Sequence, residues 1–194
     1  MTVTEAQVPA SAPARERILA AASRRFYADG IRAASADRLL AEAGVSKVTF
    51  YRHFPTKDDL IVAYLDRVAS LQRDAIEAQR AAHPGDPVAV LRWYADALGQ
   101  LSCGPGFRGC AFINAAAELA DPAHPGRLLV SQHRAWLTAQ AAELLAEFGA
   151  DAPEAKAEQL MMLRDGAMMA GYVGHAPESI SARLIDAGRA IVRA

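Results

Sequence analysis

Two cysteines in 194 residues, Cys103 and Cys110, are too few for a disulfide scaffold and lack paired zinc-ligand spacing, so neither cross-links nor a structural metal sets this fold. His124 and His133, with Asp121, are spaced too loosely for a metal site, and none is expected. A run of about 18 uncharged apolar residues is also missing, and the opening MTVTEAQVPASAP has neither a basic start nor an apolar stretch. Nothing marks secretion or membrane insertion, and the expected location is the cytoplasm. There is no glycine-framed nucleophile turn and no nucleotide-binding loop, which argues against an enzyme and against a cofactor. Strand-like alternation and internal repeats are absent too, which leaves an all-α chain.

What is there is 52% apolar and 22% charged, enough to bury a core as one domain or as a small module beside a larger one. A net charge of −1 speaks against general polyanion binding, but the average hides a local excess. Residues 1–60 hold 9 Lys or Arg against 7 Asp or Glu, and residues 61–194 hold 12 against 15. A mildly positive head on an acidic body suits local binding of nucleic acid.

Residues 1–13, with prolines and small polar residues, read as a disordered tail. From residue 14, Ile18, Ala22 and Phe26 lie four apart, and Gly30 after Asp29 signals a helix end. Ser35 can cap a second helix whose buried side holds Leu39, Leu40 and Ala43, and Gly44 allows the left-handed turn that stops it. Ser46 can cap a third helix to about residue 53. Pro55 ends it, and Thr56 with Asp59 resembles a capping box that opens a long fourth helix, 57 to about 82. Further breaks fall at HPGDP (83–87), SCGPG (102–106), DPAHPG (121–126), GADAP (149–153) and GHAPES (174–179).

The stretch GVSKVTFYRHFPTKDDL, 44–60, concentrates groups that grip phosphate or a base edge. Two short helices about a glycine turn form a helix-turn-helix, whose second helix enters the major groove of DNA. Lys47, Val48 and Thr49 in its first turn offer an amine for guanine acceptors and methyls for thymine. Tyr51, Arg52, His53 and Lys57 would hold the backbone, Lys57 at a helix N-terminus that itself attracts phosphate. Phe50 and Phe54, four apart, would face inward. Spacing alone leaves this reading open beside that of a solvated turn in an ordinary bundle.

RERILAAASRRFYADGIRAASADRLLAEAGVSKVTFYRHFPTKDDLIVAYL, residues 15–65, closely resembles the DNA-binding domain of the TetR family of transcriptional regulators. The resemblance implies an N-terminal three-helix helix-turn-helix domain over 14–60, with the motif at about 35–54, and a helical effector-binding and dimerisation domain over 61–194. It also implies a homodimer on a palindromic operator of double-stranded DNA, usually repressing until a small effector binds. By that likeness Lys47, Val48, Thr49 and Arg52 lie at bases, and Ser46, Tyr51, His53 and Lys57 at phosphates, with Ser35 a further DNA-contact candidate. Ala34 stands where Thr is common and Leu40 where a small residue is common, so the second helix takes its cap from Ser35 and crosses the third at a slightly different angle.

In the body, Leu160, Leu163, Ala167 and Ala170, followed by Ile180, Leu184, Ala187 and Ile191, form stripes at helical spacing. Such a helix pair either meets its copy across a twofold axis or closes the monomer core. Trp93, Tyr94, Phe107, Phe112, Trp136, Met161 and Tyr172 are candidates to line a pocket for a small apolar or amphipathic effector, oriented by Asn114, Glu118 or His133. For any one of them ordinary core packing is the better reading, because large side chains at helical spacing usually just pack. RGCAFINAAAEL, 108–119, resembles part of the C-terminal domain of some TetR-like regulators and names no ligand. Cys103 and Cys110 flank GPGFRG, where Arg108 could activate a thiol; inert thiols, a redox switch and a cysteine nucleophile are the three readings.

Overall fold

The computed structural model describes residues 8–174 and 180–193, and among them every regular element is an α-helix. In order these are α1 (Ala14–Ala28), α2 (Ala36–Ala43), α3 (Lys47–His53), α4 (Lys57–Ala82), α5 (Pro87–Ser102), α6 (Ala111–Glu118), α7 (Pro125–Phe148), α8 (Pro153–Val173) and α9 (Ile180–Arg193). Residues 1–7 of the expected tail and 175–179 of the GHAPES break lie outside the described residues. Residues 8–13 hold a turn, closed by Ala12 N–H on Pro9 O at 2.9 Å, and the Arg17 guanidinium donates to Ala10 O at 3.1 Å.

The chain divides into two compact units. One joins the segment through Ser70 with 111–131, which brings α6 and the start of α7 together with α1–α3. The expected α1 stripe of Ile18, Ala22 and Phe26 is buried, and Phe26 meets Tyr64 of α4 edge-on at 5.6 Å. The capping box at α4 is reciprocal: Thr56 N–H donates to Asp59 Oδ2 and Asp59 N–H to Thr56 Oγ1, each at 3.0 Å.

The other unit comprises 71–110 and the chain from Gln132 onward. Here α5, α8 and α9 pack on one another. Gly99 permits the close approach of α5 and α9, since a Cβ there would stand 2.6 Å from Ser181 Cβ. Buried Lys156 bonds the Asp151 carboxylate and donates to Val192 O at 3.1 Å, which ties the start of α8 to the end of α9. Arg80 of α4 reaches Glu147 of α7 at 2.5 Å. No helix among the described residues is long and apolar enough to cross a membrane.

Candidate functional site

Each end of the helix-turn-helix is set by its own residues. Ser35 Oγ accepts from Arg38 N–H at 3.4 Å to cap α2. Gly44 ends α2 at φ 61°, ψ 41°, a left-handed conformation that glycine reaches without a Cβ penalty. Two residues later Ser46 Oγ accepts from Thr49 N–H at 3.2 Å and lies 3.0 Å from Thr49 Oγ1, which caps α3. Replacing Ser46 with alanine is expected to cost about 1 kcal/mol, read as a lower urea midpoint with unchanged slope.

Two aromatic anchors hold α3 down. Phe50 and Phe54 are buried, as their spacing predicts, and α3 packs on α1. The Arg15 guanidinium lies 5.3 Å from the centre of the Phe54 ring. On the other side, Ser46, Lys47, Tyr51 and Arg52 are exposed and Thr49 and His53 half-buried. Val48 is 79% exposed, an isopropyl group with no packing duty in its own chain. Ser35 and Lys57 are exposed as well, but Lys57 Nζ already donates to Ala34 O at 2.9 Å, anchoring the turn before α2. The methyl of Ala34 is itself buried.

Two carboxylates fix this motif on its frame, and local sequence patterns point to neither. Glu42 of α2 accepts from Arg24 at 2.8 Å and from Arg25 at 2.5 Å, both on α1. Burial pushes its carboxyl up, but the hydrogen bonds from Arg25 and Arg24, and then their charges, outweigh it and hold it below the usual range. Glu118, at the end of α6, accepts from Ile31 N–H at 2.9 Å and Arg32 N–H at 2.7 Å. Gly30, at φ +95°, makes room for it: a Cβ there would stand 3.0 Å from Glu118 Oε1. Nearby, His124 Nε2 lies 3.3 Å from Asp58 Oδ1 at the start of α4.

Residues 18–64 match the model of the bacterial regulatory proteins of the tetR family. A TetR-family transcriptional regulator from Streptomyces coelicolor is 43% identical, over 93% of this chain and 94% of that one, with a TM-score of 0.86. The chain belongs to the TetR family of transcriptional regulators. A related regulator structure from Streptomyces avermitilis is 28% identical over 92% and 99% of the two chains, TM-score 0.73. A TetR-family structure from Agrobacterium tumefaciens, 20% identical over 93% and 96%, TM-score 0.79, shares the fold. No curated protein matches the chain. As a TetR-family member the chain is a DNA-binding regulator, and nothing in its relatives points to catalysis.

The second unit of this TetR-family chain holds a cavity of ≈ 560 Å³, lined from α4, α5, α7, α8 and α9. Of the ten effector-pocket candidates, Tyr94 and Met161 line it. Trp93 and Trp136 pack instead against the Ile76, Leu137 and Met161 cluster. His133 is buried, stacked on Trp136 with ring centres 5.7 Å apart, and its Nε2 is 2.7 Å from Gln72 Oε1. Burial and then the charges of Arg73, Arg164 and Arg134 push its pKa down to about 4, so at neutral pH it is an uncharged core residue. Phe107 lies beside Gly171, and Tyr172 is exposed under the Arg108 guanidinium at 5.7 Å. Phe112, Asn114 and Glu118 sit on α6 in the other unit, where Glu118 is committed to the backbone beyond α1. Aromatic side chains are a poor signal here: leucine is the commonest wall residue, and the aromatic ones are Tyr94 and Phe148.

The interface candidates separate in the same way. Ile180 and Leu184 are buried within their own unit, and Leu160, Leu163 and Leu184 line the cavity. Ala167, Ala187 and Ile191 are half-buried, and Ala170 is exposed. The open apolar face of α8 is one residue out of phase: Met162 is 67% exposed, Met169 53% and Val173 75%, with Gly166 open between them. Cys103 is exposed, while Cys110 is buried and accepts from Arg164 at 3.3 Å.

Proposed function

We propose that this regulator is a homodimeric repressor that puts one α3 from each copy into successive major grooves of a palindromic operator and lets go when a small molecule occupies the cavity of the second unit. The observation that carries the reading is α3 itself, anchored by Phe50 and Phe54 while Lys47, Val48 and Arg52 stand in solvent. The two recognition helices of such a dimer are expected roughly 34 Å apart, one turn of B-DNA. The dimer contact is assigned to the α8 face of Met162, Gly166, Met169 and Val173, whose exposure nothing among the described residues offsets. Lys47, Val48, Thr49 and Arg52 are assigned to base edges, and Ser35, Ser46, Tyr51, His53 and Lys57 to the sugar-phosphate backbone.

Mobility shift on duplexes selected from a random pool tests this. Lys57→Ala is expected to weaken every duplex alike and to lower the salt slope by about 1, whereas Lys47→Ala and Thr49→Ala change which base is preferred, by about 1–3 kcal/mol at one position. Selected sites without twofold symmetry, or variants that bind every duplex like the parent chain, would overturn the assignment.

A further inference from the structure

The cavity is apolar along Val90, Leu98, Leu137, Leu144 and Met161, yet Arg92, Arg164, Arg189 and Arg193 also line it. No Asp or Glu does so among the described residues. Arg92, Arg189 and Arg193 are exposed, whereas Arg164 is 5% exposed, a guanidinium inside the wall. It donates to Asp165 Oδ1 at 2.7 Å, to Tyr94 Oη at 3.3 Å and to Cys110 Sγ at 3.3 Å. Asp165 is not Arg164's alone, because Arg134 grips the same carboxylate at 2.6 and 3.2 Å. Two guanidiniums thus share one negative charge beside an apolar space. A guanidinium buried like Arg164, with only a shared carboxylate to offset it, is costly until an anion reaches it, and an apolar wall rejects an anion that lacks an apolar body.

We propose that the cavity binds an apolar molecule bearing a single carboxylate, with the carboxylate at Arg164 and the body along the leucines between α5, α7 and α8. Straight-chain and aromatic carboxylates share this chemistry. The exposed arginines give an approaching anion a favourable field. That such a ligand controls DNA release rests on the regulator reading above, so binding and release are measured separately.

Calorimetric titration of the full chain with decanoate, 2-naphthoate, decanol and decylammonium reads the charge preference. At least one carboxylate is expected to bind about tenfold tighter than decanol, and decylammonium weakest, because a charge-assisted hydrogen bond exceeds a neutral one. Which carboxylate binds distinguishes a chain from a ring as the body. Arg164→Gln is expected to abolish the preference for the anion, and Ala141→Trp, on the α7 wall of the cavity, to weaken all probes. If Arg164→Gln does not fold, the ranking of the four probes on the parent chain decides. Decanol binding as tightly as both carboxylates, binding indifferent to Ala141→Trp, or no binding by any probe overturns the proposal. Release of a bound duplex is followed with the same probes. A carboxylate that binds without releasing DNA leaves the ligand class standing and sinks the ligand-responsive reading. Release by decanol and decanoate alike does the reverse.

Discussion

Replacing Asp165 with alanine is expected to lower the unfolding free energy by about 3 kcal/mol, the low end for breaking a buried pair because Arg134 keeps partial access to water. The loss falls on Arg164, which would keep Tyr94 Oη and Cys110 Sγ, each at 3.3 Å. Asp165→Asn keeps the shape and one acceptor and is expected to lose less, which isolates the charge. Burial raises the Asp165 carboxyl, but the hydrogen bonds from Arg134 and Arg164, and then their charges, hold it below its ordinary value. A carboxyl depressed in the folded state contributes fully above its unfolded value and loses that contribution as pH falls through the folded one. The difference between parent and Asp165→Ala, from urea unfolding at a series of pH values, should therefore be level at neutrality and shrink in acid below about pH 4. A difference that grows in acid would mean that the carboxylate is not what holds the two arginines.

The helix-turn-helix was legible because its signals act over three or four residues. Ser35, Gly44, Ser46 and the Thr56–Asp59 box each find their partners within a turn of themselves, so composition and spacing suffice to place α2, α3 and the start of α4. Glu118 could not be read in this way. Its partners, Ile31 and Arg32, lie 87 and 86 residues away and offer only backbone N–H groups, which have no residue signature. Gly30 is the local hint: its place after Asp29 signals a helix stop, and it also clears space for that carboxylate. On α8 the stripe through Leu163 and Ala167 and the stripe through Met162, Gly166 and Met169 have the same period. Periodicity identifies a helix with two apolar sides without saying which one turns inward. Leu160 and Leu163 went to the cavity wall, and Met162 and Met169 were left outside.

Phe50→Ala is expected to cost about 3–5 kcal/mol and to remove DNA binding with it. α3 has seven residues, too few to stand as an isolated helix, so its position depends on what it buries. Phe50 is 3% exposed and Phe54 2%, and Phe50 also meets the Tyr51 ring edge-on at 5.4 Å, linking the buried side of the helix to its exposed side. Removing the phenyl opens a cavity beneath the recognition helix and frees the orientation of Lys47, Val48 and Arg52 together. Val48→Ala is the control, because Val48 has almost nothing to lose in the free chain. Its unfolding free energy should stay within about 0.5 kcal/mol of the parent while preference at a thymine-bearing position of the selected duplex weakens. Denaturant unfolding and mobility shift on the same two variants separate the roles: Phe50→Ala loses stability and all duplexes, Val48→Ala loses discrimination alone. If the pattern were reversed, with Val48 costly to stability and Phe50 neutral, α3 would be rolled over from the orientation seen here, and the assignment of its outer residues to base edges would be withdrawn.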